Sequence, residues 1–217
     1  MHKSHVLLGS TIGFGVLYLA GGLALGTTPD ANDNGATVAA WFRDNDGHVR
    51  AWLWLITLGL PLFATFAVLV RDRLPTPHRD IFFFGAIALA AQTAVYGWFW
   101  GGLSWHADRL DAATARTVLD VASFWGPVLT ASTVMMLAPV VALAFARHPL
   151  VPRWLGVISA VALAEQVVET VTIFGDRGFT APGGPMNLFL GAGLVSLAWL
   201  SLGVSLARSR PIVPADE

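Results

Sequence analysis

Six apolar runs, each about 20 residues long, limit what this chain can fold into more than any other feature. An α-helix of that length crosses the ~30 Å hydrocarbon core of a bilayer and satisfies its backbone hydrogen bonds internally. The runs predict spans at about 6–26, 51–70, 81–103, 118–146, 154–174 and 187–207. The expected fold class is therefore all-α, a polytopic transmembrane helical bundle of six spans that forms a single membrane domain over 1–217.

Composition supports a membrane protein and excludes several functional classes. Of the 217 residues, 55% are hydrophobic and 12% are charged, whereas soluble domains carry about 25% charge. A net charge of −1 provides no basic field, so no nucleic-acid partner is expected. The absence of cysteine excludes disulfides and thiolate metal sites. No histidine falls within a predicted span to ligate a haem, and we expect neither a cofactor nor a metal.

The distribution of basic residues predicts the orientation of the chain. With the N-terminus inside, eight of the 13 basic residues lie in the short inner segments and five lie in the outer ones. This positive-inside bias predicts that both termini are cytoplasmic. Lys3 is the only lysine, and the chain is rich in Ala, Gly and Val, which is typical of GC-rich bacterial genomes. We therefore expect a multi-pass protein of a bacterial inner (plasma) membrane.

The longest predicted loop, 27–50, is polar and acidic and lies on the outer side in this orientation. Within it, 36–42 predicts a short interfacial helix whose Trp41 and Phe42 dip into the lipid headgroups. The fourth run is longer than a bilayer requires and contains Pro127 and Pro139, so we expect that span to be kinked, tilted or partly interfacial.

The best functional lead is the fifth run, LGVISAVALAEQVVETVTIF, which carries Glu165 at its centre and Glu169 one turn further on. Intramembrane carboxylates are rare, and they usually pair or face a cavity on an ion or substrate pathway. Counting residues from the same side of the membrane places Gln92 level with Glu165, and Tyr96 level with Glu169. We expect these four residues to line a ligand or proton pathway centred on Glu165.

Other residues of the spans extend the predicted site. Thr130 and Thr133 lie in the middle of the fourth span, and Ser196 lies in the middle of the sixth. Trp98 and Trp100 belong to the dense cluster GWFWGGLSWH at the outer end of the third span. The cluster is either part of an aromatic belt at the membrane surface or the lining of an outward-facing cavity.

Structural alternatives to this site remain open. A protonated Glu165 that only hydrogen-bonds to Gln92 or to a hydroxyl would join helices without any transport role. Glu169, which is nearer the membrane surface, has Arg109, Arg116 and Arg177 as candidate outer partners.

Two stretches resemble uncharacterised bacterial integral membrane proteins of about six spans, of the domain-of-unknown-function type. They are ARHPLVPRWLGVISAV at 146–161 and LAWLSLGVSLARSR at 197–210. The resemblance concerns the general layout. It implies the six-span fold and no particular activity.

Three functions are compatible with the sequence. The leading hypothesis is a small transporter or a proton- or ion-coupled permeation protein, in which Glu165 is the protonatable group. The second is a membrane-embedded enzyme or binding protein for a lipid or isoprenoid-like molecule, whose catalytic residues are unknown. The third is a non-catalytic subunit of a larger complex. Membrane lipids are expected partners, and a homo-oligomer is one way for so small a chain to enclose a pathway.

Overall fold

The computed structural model describes residues 2–209, so the predicted domain 1–217 and the stretch 197–210 both extend beyond the described residues. The α-helices are α1 (His2–Leu25), α2 (Gly35–Asp44), α3 (Asp46–Arg71), α4 (His78–Ser104), α5 (Ala112–Ser123), α6 (Trp125–Ala144), α7 (Arg153–Glu169) and α8 (Ala192–Arg208). Among the described residues there is no β-strand, and the fold is the all-α bundle that the apolar runs predict.

Within the described residues, six helical segments are long and apolar enough to cross a membrane. They are Lys3–Leu25, Asp46–Arg71, His78–Ser104, Ala112–Ala144, Arg153–Phe174 and Met186–Arg208. The chain is therefore a multi-pass membrane protein.

Successive crossings divide the connecting segments between two sides of the bundle. Residues 26–45, 105–111 and 175–185 share one side, which we name the loop side. Residues 72–77 and 145–152 lie on the opposite side, together with the beginning of α1 and the end of α8. We name this second side the terminal side.

The fourth crossing consists of two helices, α5 and α6, which meet at Phe124. Pro127 lies in the first turn of α6, where its missing N–H would have had no helical partner. The crossing begins at Ala112, earlier than the predicted 118, because Asp111 caps α5 by accepting a hydrogen bond of 2.9 Å from the Thr114 backbone N–H. The proline therefore marks a junction between two helices.

The short helix that the sequence predicts in the loop is α2, and its apolar residues pack against protein. Asn34 caps it by accepting a hydrogen bond of 2.9 Å from the Thr37 backbone N–H. Phe42 is fully buried, and Trp41 packs edge-on against Trp100 with ring centroids 6.0 Å apart. The expectation that Trp41 and Phe42 insert into headgroups is therefore wrong, because α2 covers the loop side of the bundle.

The apolar core consists of two clusters. The cluster nearer the terminal side includes Phe66, Met136 and Leu202. The cluster on the loop side includes Phe42 and Trp100. Along α6 and α7, a group of buried polar side chains lies between the two clusters.

An intramembrane carboxylate–amide network

The buried face of α7 carries Ser159, Ala162, Gln166 and Glu169. Their spacing of three or four residues places them on one side of an α-helix. The exposed fraction is 3% for Gln166 and 3% for Glu169, whereas Glu165 lies at the edge of this face and is half-buried. The predicted centre at Glu165 is therefore displaced by one turn, and the fully buried carboxylate is that of Glu169.

Gln166 connects the two glutamates to each other and to α6. Its Nε2 donates a hydrogen bond of 2.9 Å to Glu165 Oε2 and a second, short one to Glu169 Oε2. Its Oε1 accepts a hydrogen bond from the Thr133 hydroxyl. An amide nitrogen has two N–H groups, so both are used on carboxylates. One side chain thus bridges two acidic groups inside the membrane.

Asn187 holds the other side of the Glu169 carboxylate. Its Nδ2 donates to Glu169 Oε1 and lies 3.3 Å from Thr172 Oγ1, while its Oδ1 accepts a hydrogen bond of 2.9 Å from the Gly183 N–H. Asn187 lies in a π-helical turn, Met186–Gly191, which precedes α8. Such turns occur frequently at functional sites.

Two glycines allow the helices to approach the network closely. A Cβ on Gly191 would overlap Glu169 Oε2 and would lie 2.9 Å from Gln166 Nε2. A Cβ on Gly126 would lie 2.7 Å from Asn187 Cγ. Both positions therefore require glycine if Glu169, Gln166 and Asn187 are to keep the observed positions.

The network contains two carboxylates and no cationic partner. Within residues 2–209, no Lys, Arg or His nitrogen lies within 4.0 Å of Glu165 or Glu169. Glu165 Oε1 is buried and has no hydrogen-bond partner in the same part of the chain. Two adjacent carboxylates repel each other strongly in a medium of low dielectric constant. The arrangement therefore favours one proton, or one bound cation, between them.

The arginines that sequence analysis considered as partners of Glu169 bind other groups. Arg116 forms an ion pair with Asp120. Arg109 and Arg177 contact their sequence neighbours Asp108 and Asp176, at 3.6 and 3.9 Å. The expectation of an outer arginine partner is therefore wrong for the described residues. In the same residues, no three His, Asp or Glu side chains come together in a way that would hold a metal ion.

Gln92 is separated from the two glutamates by α6. Its Oε1 accepts a hydrogen bond of 2.7 Å from the Ser132 hydroxyl, and its Nε2 lies 3.3 Å from the Val128 carbonyl oxygen. These contacts join α4 to one face of α6, whereas Thr133 connects a different face to α7. Gln92 is therefore not bonded to the network of Glu165 and Glu169, and a single route through Gln92 and Glu165 stays a prediction.

Tyr96 and the tryptophans form an aromatic group on the loop side. Tyr96 stacks on Trp125 with ring centroids 4.6 Å apart and packs against Trp100 at 5.7 Å. Trp100 is 4% exposed, but Trp98 is 73% exposed and lies on the outer surface of α4. Of the two predicted cavity-lining tryptophans, only Trp100 faces the interior.

A cavity of about 20 Å³ lies between this aromatic group and the network. Tyr96, Trp100 and Trp125 form part of its wall, and Asn187 closes it toward Glu169. Thr28, together with its neighbour Pro29, covers it from the loop side. A volume of ~10–15 Å³ is enough for one water molecule, so the cavity has room for a single water.

The remaining predicted residues differ in their roles. Thr133 belongs to the network and also lies 2.9 Å from the Thr130 carbonyl oxygen. Thr130 itself bonds back to the Pro127 carbonyl oxygen at 2.8 Å and is turned toward its own helix. Ser196 is half-buried on α8. None of the three lines the cavity beside Asn187, and their role as cavity-lining residues stays a prediction.

Gln166 and Asn187 are the site residues that sequence reasoning missed. A signal for Gln166 exists in its spacing from Glu169, because positions i and i+3 of a helix share a face. Asn187 closely follows a Gly-Gly-Pro turn at the beginning of the last run. A polar residue at such a position is expected to belong to the loop and not to the interior of the bundle. The π-helical turn brings it back into the bundle.

No protein-family model, curated protein or solved structure matches the chain. The resemblance to six-span bacterial membrane proteins therefore stays a prediction. The proposed function is based on the network alone.

Proposed function

We propose that this protein is a small proton- or cation-coupled permeation protein, and that the carboxylate–amide network is its ion site. The observation that carries the proposal is the pair of intramembrane carboxylates, Glu165 and Glu169, which share the amide of Gln166 and have no cationic partner within residues 2–209. Ionisable groups inside membrane spans mark ion pathways and proton relays by default, because burying them without a use is costly.

The surroundings of Glu169 support a coupling role. Regular α-helix ends at Glu169 and continues as a 3₁₀ turn, Thr170–Phe174, while the facing crossing begins with the π-helical turn Met186–Gly191. Interrupted helices are common at the ion sites of transporters. Neutralising the Glu169 carboxylate would weaken the charge-assisted hydrogen bond from Asn187. The charge of Glu169 would thereby change the strength of the contact that holds the π-helical turn of the last crossing against α7.

The location that we propose is a bacterial inner membrane, with both termini in the cytoplasm. The support is the excess of arginine at the terminal side, as in Arg71 at the end of α3, Arg73 in the connection and Arg79 in the first turn of α4. In that orientation the loop side faces outward, and the cavity beside Asn187 lies toward the outside.

The test uses purified protein in proteoliposomes that contain a pH-sensitive dye, with a potassium diffusion potential as the driving force. We expect proton uptake by the wild type, loss of most of it in Glu169→Gln, and no change in Ser196→Ala, which lies outside the network. A pH-difference infrared spectrum provides a readout that does not require a transported substrate. A carboxyl band should appear in the wild type and disappear in Glu169→Gln. If flux and band are the same in wild type and Glu169→Gln, the proposal is wrong.

A lipid-binding function is the second candidate, and a separate observation favours it. An open groove of about 420 Å³ lies on the terminal side, lined by Trp154, Ser201, Ser205 and Arg208 among others. An arginine and a tryptophan at the membrane surface suit an anionic lipid headgroup. Native mass spectrometry in mild detergent distinguishes the two functions. A lipid retained by the wild type and lost in Arg208→Ala would favour lipid binding.

A further inference from the structure

The cavity beside the network carries two buried N–H groups that need an acceptor. The Nε1 atoms of Trp100 and Trp125 are buried, and neither makes a hydrogen bond of normal geometry in residues 2–209, although the Trp100 N–H lies near the Tyr96 hydroxyl; both tryptophans line the cavity. Buried N–H groups in proteins are nearly always paired with protein or with ordered water. An indole N–H can only donate, so the partner must be an acceptor that fits about 20 Å³. A water oxygen meets both conditions.

The same cavity is unsuited to an alkali cation. Sodium and potassium sites in membrane proteins replace the hydration shell with several carbonyl or carboxylate oxygens. Here Asn187 Oδ1 is occupied by the Gly183 N–H, and the Ser123 hydroxyl donates to the Leu119 carbonyl oxygen at 2.8 Å. Among the fully buried side-chain atoms of the lining, those without a partner are the two indole donors, and none of the lining residues carries a carboxylate. The cavity therefore has room for one water molecule and lacks an oxygen cage.

The loop side is closed over the cavity by a fixed segment. The Trp41 indole donates a hydrogen bond of 2.9 Å to the Thr27 carbonyl oxygen. The Arg116 guanidinium donates to the carbonyl oxygens of Asp30 and Asp33, each at 2.9 Å. Thr28 lies between these attachment points and lines the cavity. Access from the loop side is therefore narrow, which suits the passage of single waters.

We propose that the ion exchanged at the carboxylate pair is a proton and not an alkali cation, and that it arrives from the loop side through a single water held by Trp100 and Trp125. This inference rests on the proposed function and names its ion. In the step itself, a hydronium ion gives up one proton, an O–H bond forms at Glu169 Oε1, and a neutral water remains in the cavity. The negative charge of the carboxylate is neutralised in the same step.

Asn187 is the residue that separates the water from the carboxylate. It lines the cavity, and its Nδ2 donates to Glu169 Oε1. A small rotation of the Asn187 side chain brings water into contact with that oxygen. Asn187 is thus a positioning residue that controls access to Glu169 without being protonated itself.

The experiment measures how fast the carboxyl pair exchanges its proton with solvent. Protein in lipid is transferred to D₂O, and the isotope shift of the carboxyl infrared band is followed in time. The variants are the double substitution Trp100→Phe with Trp125→Phe, and Trp125→Phe alone. Trp125 is only half-buried, and its stacking on Tyr96 is retained by phenylalanine, so the single variant should fold if the double does not. Trp98→Phe is the matched control, since Trp98 is 73% exposed on the same helix as Trp100.

We expect exchange to be slowed severalfold in both cavity variants, to be unchanged in Trp98→Phe, and to be the same with sodium, potassium or a bulky organic cation. Equal rates in the wild type and the cavity variants would overturn the water route. Displacement of the carboxyl band by sodium or potassium would overturn the proton assignment while leaving ion coupling intact. If the wild type shows no carboxyl band that depends on Glu169, the proposed function fails as well, and the inference fails with it.

Discussion

Asn187 donates an amide N–H to the carboxylate of Glu169, and this contact joins the beginning of the sixth crossing to the end of α7. The two residues are 18 positions apart in sequence, and a loop on the surface of the bundle connects them. Because both are 3% exposed, the contact lies inside the protein and away from lipid and bulk solvent. It is the point at which a change in charge can act on the position of a helix.

We predict that Asn187→Leu, which keeps the approximate size of the side chain but removes the amide N–H₂ and C=O, lowers the free energy of unfolding by about 1–3 kcal/mol. The reason is that Glu169 keeps only one donor while it stays buried. The measurement is thermal unfolding in detergent. In a Glu169→Gln background the same substitution should have a smaller effect, because a hydrogen bond to a neutral amide oxygen is weaker than one to a carboxylate, so its loss costs less free energy. An equal effect in both backgrounds would show that the amide–carboxylate bond contributes nothing.

Gly191 provides a sharper test of the same site. A methyl group at this position would overlap Glu169 Oε2, whereas a methyl group at Gly193, two residues later on α8, meets nothing within 4 Å. We predict that Gly191→Ala destabilises the protein by ~1–3 kcal/mol, as overpacking does, and abolishes the carboxyl infrared band of the wild type.

Gly193→Ala serves as the matched control for this substitution. It should be neutral or stabilise the protein by up to ~1 kcal/mol, because alanine has the higher helix propensity. If the two alanine variants behave alike, the carboxylate does not rest against Gly191.

The fold could be read from the sequence because the apolar runs exceed the bilayer thickness and each interior backbone group must be satisfied within its own helix. The fourth crossing was harder to delimit. Its helix begins at an Asp111 cap, in a stretch whose polar residues resemble a loop. Helix ends depend on such local caps, whereas the existence of a span depends on its total hydrophobicity.

The site was only partly predictable, because counting residues gives depth along a helix and says nothing about which face it presents. Counting placed Gln92 level with Glu165, but Gln92 bonds to Ser132 on α6, whereas Gln166, the neighbour of Glu165, bonds to Thr133 on a different face of that helix. The periodic burial of α7 selects Gln166 and Glu169 over Glu165. Asn187 depends on a π-helical turn, for which no simple sequence signal exists.

The cap of α5 predicts a specific pH dependence. The Thr114 hydroxyl, and secondly its backbone N–H, donate to Asp111 and hold the pKa of that carboxyl below its ordinary value. The folded state therefore stabilises the ionised form. The contribution is present above the unfolded pKa of about 3.9 and is lost as the pH falls through the lower folded value.

We accordingly predict that Asp111→Ala lowers the unfolding temperature at neutral pH and has a much smaller effect at a pH well below both the folded and the unfolded pKa of Asp111. Thermal unfolding at both pH values is the measurement. Asp108→Ala is the control. The Asp108 side chain is 70% exposed, and its one ion pair among the described residues is with its neighbour Arg109, at 3.6 Å. A difference between Asp111→Ala and wild type that is independent of pH would contradict the assigned role of the cap.

Arg116 is the residue that holds the segment over the cavity, because its guanidinium donates to the carbonyl oxygens of Asp30 and Asp33, each at 2.9 Å. We predict that Arg116→Ala frees this segment, so that limited proteolysis cuts between residues 27 and 34 much faster than in the wild type while the spans stay intact. Arg109→Ala is the control, since the Arg109 side chain is 81% exposed and its one ion pair within residues 2–209 is with Asp108.

The exchange of the carboxyl proton with solvent should also be faster in Arg116→Ala, because the cavity loses its cover. Faster proteolysis with an unchanged exchange rate would show that the segment does not limit access to Glu169.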